Sequence, residues 1–359
     1  MTEIVSNNYK KGLEYDVEWQ DPEDGHSRFM SRIFTGLGLF LALLSGLIFS
    51  LNSFFLQFFG VDYIWNLCNV GLMQMAFAKG MIDDFGLSLW PKTKTARALL
   101  IYQALVGALV ICGSFFCVKF MPLSDALTIL YTAPIFTLIF ESFFARKKIS
   151  YIKISCGIML LPGVIYLLQP PLFFEASRNF EFKFEKKLKN IFFSFQNSMA
   201  ITKDYYIGAL IAGLTAVLNG LHNVTISQCK QISTMVLLWW TGVVCLIIGV
   251  IFLPFEPVKI DSIPLSHWIG MLLTSFFVAP AHYCMMTSLN LIDASIASFI
   301  NSSKIIFVST LQALTMVVNP NIDSLIGFFL VLSSVLISLL EYPMVLRPRR
   351  PRTRYNRFK

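Results

Sequence analysis

The stretch IASFINSSKIIFVSTLQALTMVV, residues 296–318, belongs to an apolar run from about Leu291 to Val317 with one basic residue, Lys304, near its middle. A hydrocarbon layer about 30 Å thick is crossed by about 20 helical residues, so the run is long enough to span a membrane. At ~1.5 Å per residue, a single helix puts Lys304 about 20 Å from either end, whereas a lysine stem reaches only about 6 Å. The charge cannot snorkel to water. A lysine at mid-helix costs about 2.5–3.5 kcal/mol on insertion scales, so Lys304 needs a partner, a cavity or a substrate.

The rest of the chain reads the same way. It is 55% hydrophobic and 14% charged with mean hydropathy +0.65, outside the usual range for a soluble protein. Ten long apolar runs lie near 33–58, 64–82, 98–118, 123–145, 150–168, 205–228, 234–253, 266–288, 291–317 and 324–345. Backbone buried in lipid must satisfy its own hydrogen bonds, which helices of this length do. The expected fold class is therefore an all-α polytopic membrane protein with ten transmembrane helices. Residues 1–32 carry seven acidic side chains and no short apolar core followed by a cleavage site, so the first span is expected to serve as its own insertion signal.

Lys and Arg between the spans set the orientation. With the N-terminus inside, 19 of the 29 basic residues fall on the cytoplasmic side and 8 on the other, with Lys79 and Lys304 in spans. Both termini are expected to be cytoplasmic, in an endomembrane or the plasma membrane. The connector 169–204 opposes this count, since its six basic residues outnumber Glu175, Glu181 and Glu185. It is either a basic, aromatic surface lying on lipid headgroups or a solvated link between helix ends. The tail 346–359, with RPRRPRTRYNRFK, follows a span directly and suits anionic membrane lipid rather than nucleic acid.

The connector divides the spans into 33–168 and 205–345, five in each unit. A shift of 168 positions sets Asp125 and Ala126 of SDALTILYTAPIF on Asp293 and Ala294 of IDASIASFINSSKIIF. Five spans per unit turn the second unit upside down, so matching loops fall on opposite faces. The loop ARKKIS is basic while its counterpart VNPNIDS has no Lys or Arg, as two inverted five-helix repeats require.

The segment MPLSDALTILYTAPIFTLIFESFFARKKISYIKISCGIMLLPGVIYLLQPP, residues 121–171, resembles the EamA-type drug/metabolite transporter superfamily, in particular solute carrier family 35, group G. The resemblance is carried by LSDA at 123–126, Pro134 in mid-span, the charged turn, Gly157 and Gly163, and the closing QPP. It implies a transporter of organic solutes with a cavity between its two halves and alternating access. The chain departs from the pattern at Arg146–Lys148, where the family carries an acidic residue, and at Ser302, which stands where Pro134 would repeat.

Polar residues inside spans are the candidates for contact with solute. Lys304 is expected to attract an anionic group, with Asn301 one turn earlier on the same face. Asn219, His222 and Asn223 share one face of the sixth span, and the pocket role competes there with simple helix-to-helix hydrogen bonding. His282 and Tyr131 complete the set, with Tyr102 and Gln103 depending on the direction they face. Glu141 is the plausible acid for an ion pair with Lys304, and Arg146–Lys148 are the plausible cations for Glu141. The seven cysteines fall in or at the end of spans, and neither they nor the four histidines have metal-ligand spacing. No GxSxG, P-loop or HExxH occurs, so no catalytic residue, metal or cofactor is expected. The leading expectation is a secondary transporter of a small organic solute, with an anion favoured by Lys304. A non-transporting membrane scaffold or regulatory protein, and a divalent-cation transporter, are the alternatives. Oligomeric state is not readable from these features.

Overall fold

The structure, a computed structural model, describes residues 25–59, 63–121, 123–145, 149–168, 203–255, 265–316 and 322–345. Residues 169–202 of the connector, residues 1–24 and 346–359 of the tails and Arg146–Lys148 lie outside the described residues, while 25–32 of the N-terminal tail and 203–204 of the connector are helical. The helices are α1 (Gly25–Phe59), α2 (Tyr63–Asp84), α3 (Lys94–Phe120), α4 (Leu123–Leu130), α5 (Ala133–Ala145) and α6 (Tyr151–Leu168). The second half contributes α7 (Lys203–Gln228), α8 (Thr234–Phe252), α9 (Leu265–Leu291), α10 (Ala294–Asn301), α11 (Ser303–Met316) and α12 (Ile322–Val345). No strand occurs among the described residues. The protein is a multi-pass, all-helical integral membrane protein.

Nine described stretches are long and apolar enough to cross a membrane, with α4–α5 and α10–α11 each counting as one. The remaining crossing is α2, whose Asn66, Asn69 and Gln74 lower its hydropathy. Asn66 and Gln74 are fully buried, and α2 packs against α8 and α9. Close approach of α2 to α8 depends on Gly71 and Gly242, because a Cβ on either would lie 2.8 Å from the other's carbonyl oxygen.

Helix pairing is unchanged when the first five spans are exchanged for the last five. Span one (α1) packs on span eight (α9), as span six (α7) packs on span three (α3). Likewise α1 packs on the ninth span (α10–α11), as α7 packs on the fourth (α4–α5). The α2–α8 and α6–α12 pairs map onto themselves.

Two spans are broken at matching places. Pro134 has no amide hydrogen, so Leu130 loses its helical partner and α4 ends there. The chain crosses the gap in tight turns, Thr132 N–H donating to Ile129 O at 3.0 Å and Ile135 N–H to Thr132 O at 3.0 Å. Ser302, 168 positions after Pro134, interrupts the ninth span without a proline, its N–H shared between Ser298 O at 3.2 Å and Phe299 O at 3.1 Å. The run expected as one helix over 291–317 is thus two, with Lys304 in the first turn of the second. Pro280, by contrast, does not interrupt α9, which is helical on both sides of it.

Candidate functional site

The two breaks meet at a cavity of about 200 Å³ between the halves. All six residues singled out in the sequence, Tyr131, Asn219, His222, His282, Asn301 and Lys304, line it. The lining runs from Ser298 to Asn52 and Ser114, which lie within about two turns of the ends of α1 and α3. Tyr102 is not among them and is 44% exposed on the outside of the bundle.

Lys304 is held between aromatic rings. Its Nζ is 5.0 Å from the centre of Tyr131, at the first break, and 5.4 Å from that of Phe49 on α1. The negative face of each ring stabilises the ammonium. Among the described residues no carboxylate lies within ion-pair distance of Lys304. The expected alternative pairing with Glu141 is not formed. Glu141 Oε2 instead accepts from the Ser295 N–H at 3.0 Å and faces Lys153 Nζ at 3.7 Å. Lys153 begins the helix after Glu141's own, so the turn between α5 and α6 brings them together.

Each histidine accepts from a glutamine of the other half. Gln74 Nε2 donates to His282 Nδ1 at 2.6 Å, and Gln103 Nε2 lies 3.1 Å from His222 Nε2. With the amides in this orientation each ring is an uncharged acceptor, its proton on the other nitrogen. Gln103 Nε2 also lies 3.3 Å from Thr241 Oγ1. Gly107 makes room for His222, since a Cβ there would come 2.6 Å from the ring Nε2. Phe49 meets the His282 ring edge-on at 5.0 Å. Lys304 is then the only charged side chain on the described lining.

Around it stand polar groups with capacity to spare. Asn301 Oδ1 is 3.3 Å from Ser45 Oγ, whose single proton is shared with Ala281 O at 3.0 Å. Asn223 Nδ2 donates across the halves to Thr137 Oγ1 at 3.2 Å and within its own half to Ser298 Oγ at 3.3 Å. Asn219 makes no side-chain hydrogen bond among the described residues, so of that polar face Asn223 acts as the helix-to-helix link while Asn219 is left to the cavity. The buried Asn52 Oδ1, Gln74 Oε1 and Gln103 Oε1 also lack partners. A ring cage for the lysine, the glutamine partners and Asn52 were not anticipated. Phe49 and Gln74 look like ordinary membrane-span residues until the partner helices are known. The site holds a cation, neutral acceptors and spare amides beside Val278, Met285 and Met286, a lining suited to an anion with an apolar body.

Residues 206–340 match the EamA-like transporter family. The matched stretch contains α7 to α12 almost entire, including the second break and Lys304. Solute carrier family 35 member G1 of Homo sapiens is 28% identical over 144 residues, 39% of this chain and 38% of that protein. Its Mus musculus counterpart is 26% identical over the same shares. The match thus spans well under half the length of these curated relatives. A crystal structure described as "Crystal structure of protein" superposes with TM-score 0.65 at 16% identity, covering 86% of this chain and 98% of that one. The architecture is therefore shared across both halves.

Proposed function

We propose that the chain is a secondary transporter that carries a small organic anion by alternating access between two five-span units, 33–168 and 205–345. One observation carries the reading: Lys304, half-buried in the middle of the ninth span with no carboxylate of the described residues within ion-pair distance, lines a cavity walled by uncompensated amides. A purely structural lysine at this depth would be expected to have an acidic partner. The solute carriers matched by the chain support the transporter class, and the lack of an acid on the described lining disfavours a divalent cation as cargo. Lys304 would attract the anionic group and Asn301, Asn219, His222 and His282 would hydrogen-bond the rest, with Tyr131 releasing the ammonium as the solute arrives.

Uptake of radiolabelled carboxylates and other organic anions into vesicles containing the purified chain tests this. Saturable uptake by the wild type, its loss in Lys304→Met and partial retention in Lys304→Arg are expected. No flux of any anion by a folded wild type would favour a membrane scaffold instead. For the orientation, we infer cytoplasmic termini from the basic residues. A tag after Lys359 should be reachable in selectively permeabilised cells and one between Leu188 and Lys189 should not, and equal access to both would refute the arrangement.

A further inference from the structure

On the face of the membrane away from the cavity's Asn52 and Ser114 end, four ionisable side chains from both halves come together. Lys153 Nζ, at the start of α6, lies 3.1 Å from Asp293 Oδ2, at the head of α10, and 3.7 Å from Glu141 Oε2, near the end of α5. Glu341, near the end of α12, is within electrostatic range of all three. It is 2% exposed, and neither of its carboxyl oxygens has a hydrogen-bond donor. Ser150 approaches without completing a hydrogen bond, and Ser338, one turn earlier, is committed to Ser334 O at 2.9 Å and Cys156 Sγ at 3.3 Å.

Among the described residues three carboxyl groups stand around one ammonium, Asp293 at the more exposed edge and Glu341 the most deeply buried. Asp293 and Glu141 have the lysine, and Glu141 has the Ser295 amide as well. Among the described residues no donor hydrogen-bonds either oxygen of Glu341, and Ser150 and Lys153 favour its charge only from outside contact distance, against its burial and the neighbouring carboxyl groups. Burying an unpaired carboxylate is so unfavourable that the group takes up a proton instead. Among the described residues the titratable groups facing it are Glu141 on α5, Lys153 and Cys156 on α6 and Asp293 at the head of α10, and Lys153 is the only cation of these.

We propose that Glu341 is a proton-binding site, protonated while this face is closed and releasing its proton to water when the face opens. The first part is independent of the transport reading, whereas the second rests on alternating access. The cluster joins α5 and α6 of one unit to α10 and α12 of the other, so separating the units on this face would hydrate Glu341. Hydration favours the carboxylate, and the proton leaves to solvent. The sign follows: acid holds this face closed and alkali favours opening, by at most about tenfold per pH unit for one proton.

Infrared spectroscopy of the purified full-length chain reads the proton directly. At neutral pH the wild type should show a carboxyl C=O band of a protonated acid that is absent from Glu341→Gln, and no difference in that band would overturn the assignment. Glutamine has the shape of a protonated glutamate, so the variant should melt at the wild-type temperature. A large drop would identify Glu341 as an ionised partner of Lys153. Stability that depends on added Mg²⁺ or Ca²⁺ and collapses with a chelator would make the cluster a metal site instead. Opening is read at the buried Cys156, retained as the only cysteine, by its rate of maleimide labelling. The ratio of wild-type to Glu341→Gln rates, each first corrected for the thiolate fraction of Cys156 measured in that protein, should rise with pH. A constant ratio would refute proton release on opening. Neither readout depends on knowing a transported solute.

Discussion

Replacing Lys304 with methionine should make this protein more stable while abolishing anion uptake. The ammonium sits near mid-membrane at a cost of about 2.5–3.5 kcal/mol on insertion scales. Its compensation is two ring contacts, at 5.0 and 5.4 Å, each worth about 1 kcal/mol. Methionine keeps the unbranched stem, adds a favourable sulfur–aromatic contact and removes the charge. The balance is a stabilisation of about 1 kcal/mol, which in a chain of this size raises the melting temperature by about 1–3 °C. Thermal unfolding of detergent-purified wild type and variant measures the shift, beside uptake in vesicles. A melting temperature lowered by several degrees would refute the reasoning, since it would mean that the ammonium has a stabilising partner stronger than the two rings. Loss of stability and of uptake together would leave no ground for assigning Lys304 to solute.

Gly107→Ala places a methyl group 2.6 Å from His222 Nε2 and should displace the ring from Gln103. Overpacking of this kind costs about 1–3 kcal/mol, and reduced uptake with a lower melting temperature is expected, wild-type behaviour in both counting against the packing. Lys153→Met removes the cation facing the buried Glu141 and the half-buried Asp293 and should destabilise by about 3 kcal/mol. Partial rescue by Asp293→Asn in the double variant, read by thermal unfolding, distinguishes charge from lost volume.

The membrane class and the number of crossings were legible because an apolar run of about twenty residues matches the thickness of the hydrocarbon layer. The six candidate residues were also legible, each being polar where lipid penalises polarity, and they converge on one cavity. What could not be read was pairing across long sequence distances. Glu141 is the nearest plausible acid for Lys304 in the sequence although it lies a turn or more away in depth, and the turn after α5 delivers Lys153 to it. The break at Ser302 was hidden because no proline marks it. Its only local signal is the run Asn301–Ser302–Ser303, whose polar side chains compete with helical hydrogen bonding. Gln74 and Gln103 gained meaning only once α2 lay beside α9 and α3 beside α7.

The broken ninth span also bears on how the chain is made. Of the nine described stretches long and apolar enough to cross, Ala294–Leu311 is the least apolar and has the largest share of residues enclosed by protein. Neither α10 nor α11 alone is long enough to cross, so the insertion machinery meets a single weakly apolar segment with a lysine inside it. Its permanent surroundings are protein rather than lipid: α1, made first, lies against both of its pieces. Membrane integration of this span is therefore expected to depend on chain already synthesised. Fused alone to a glycosylation reporter it should insert poorly, and restoring the preceding spans should raise the inserted fraction.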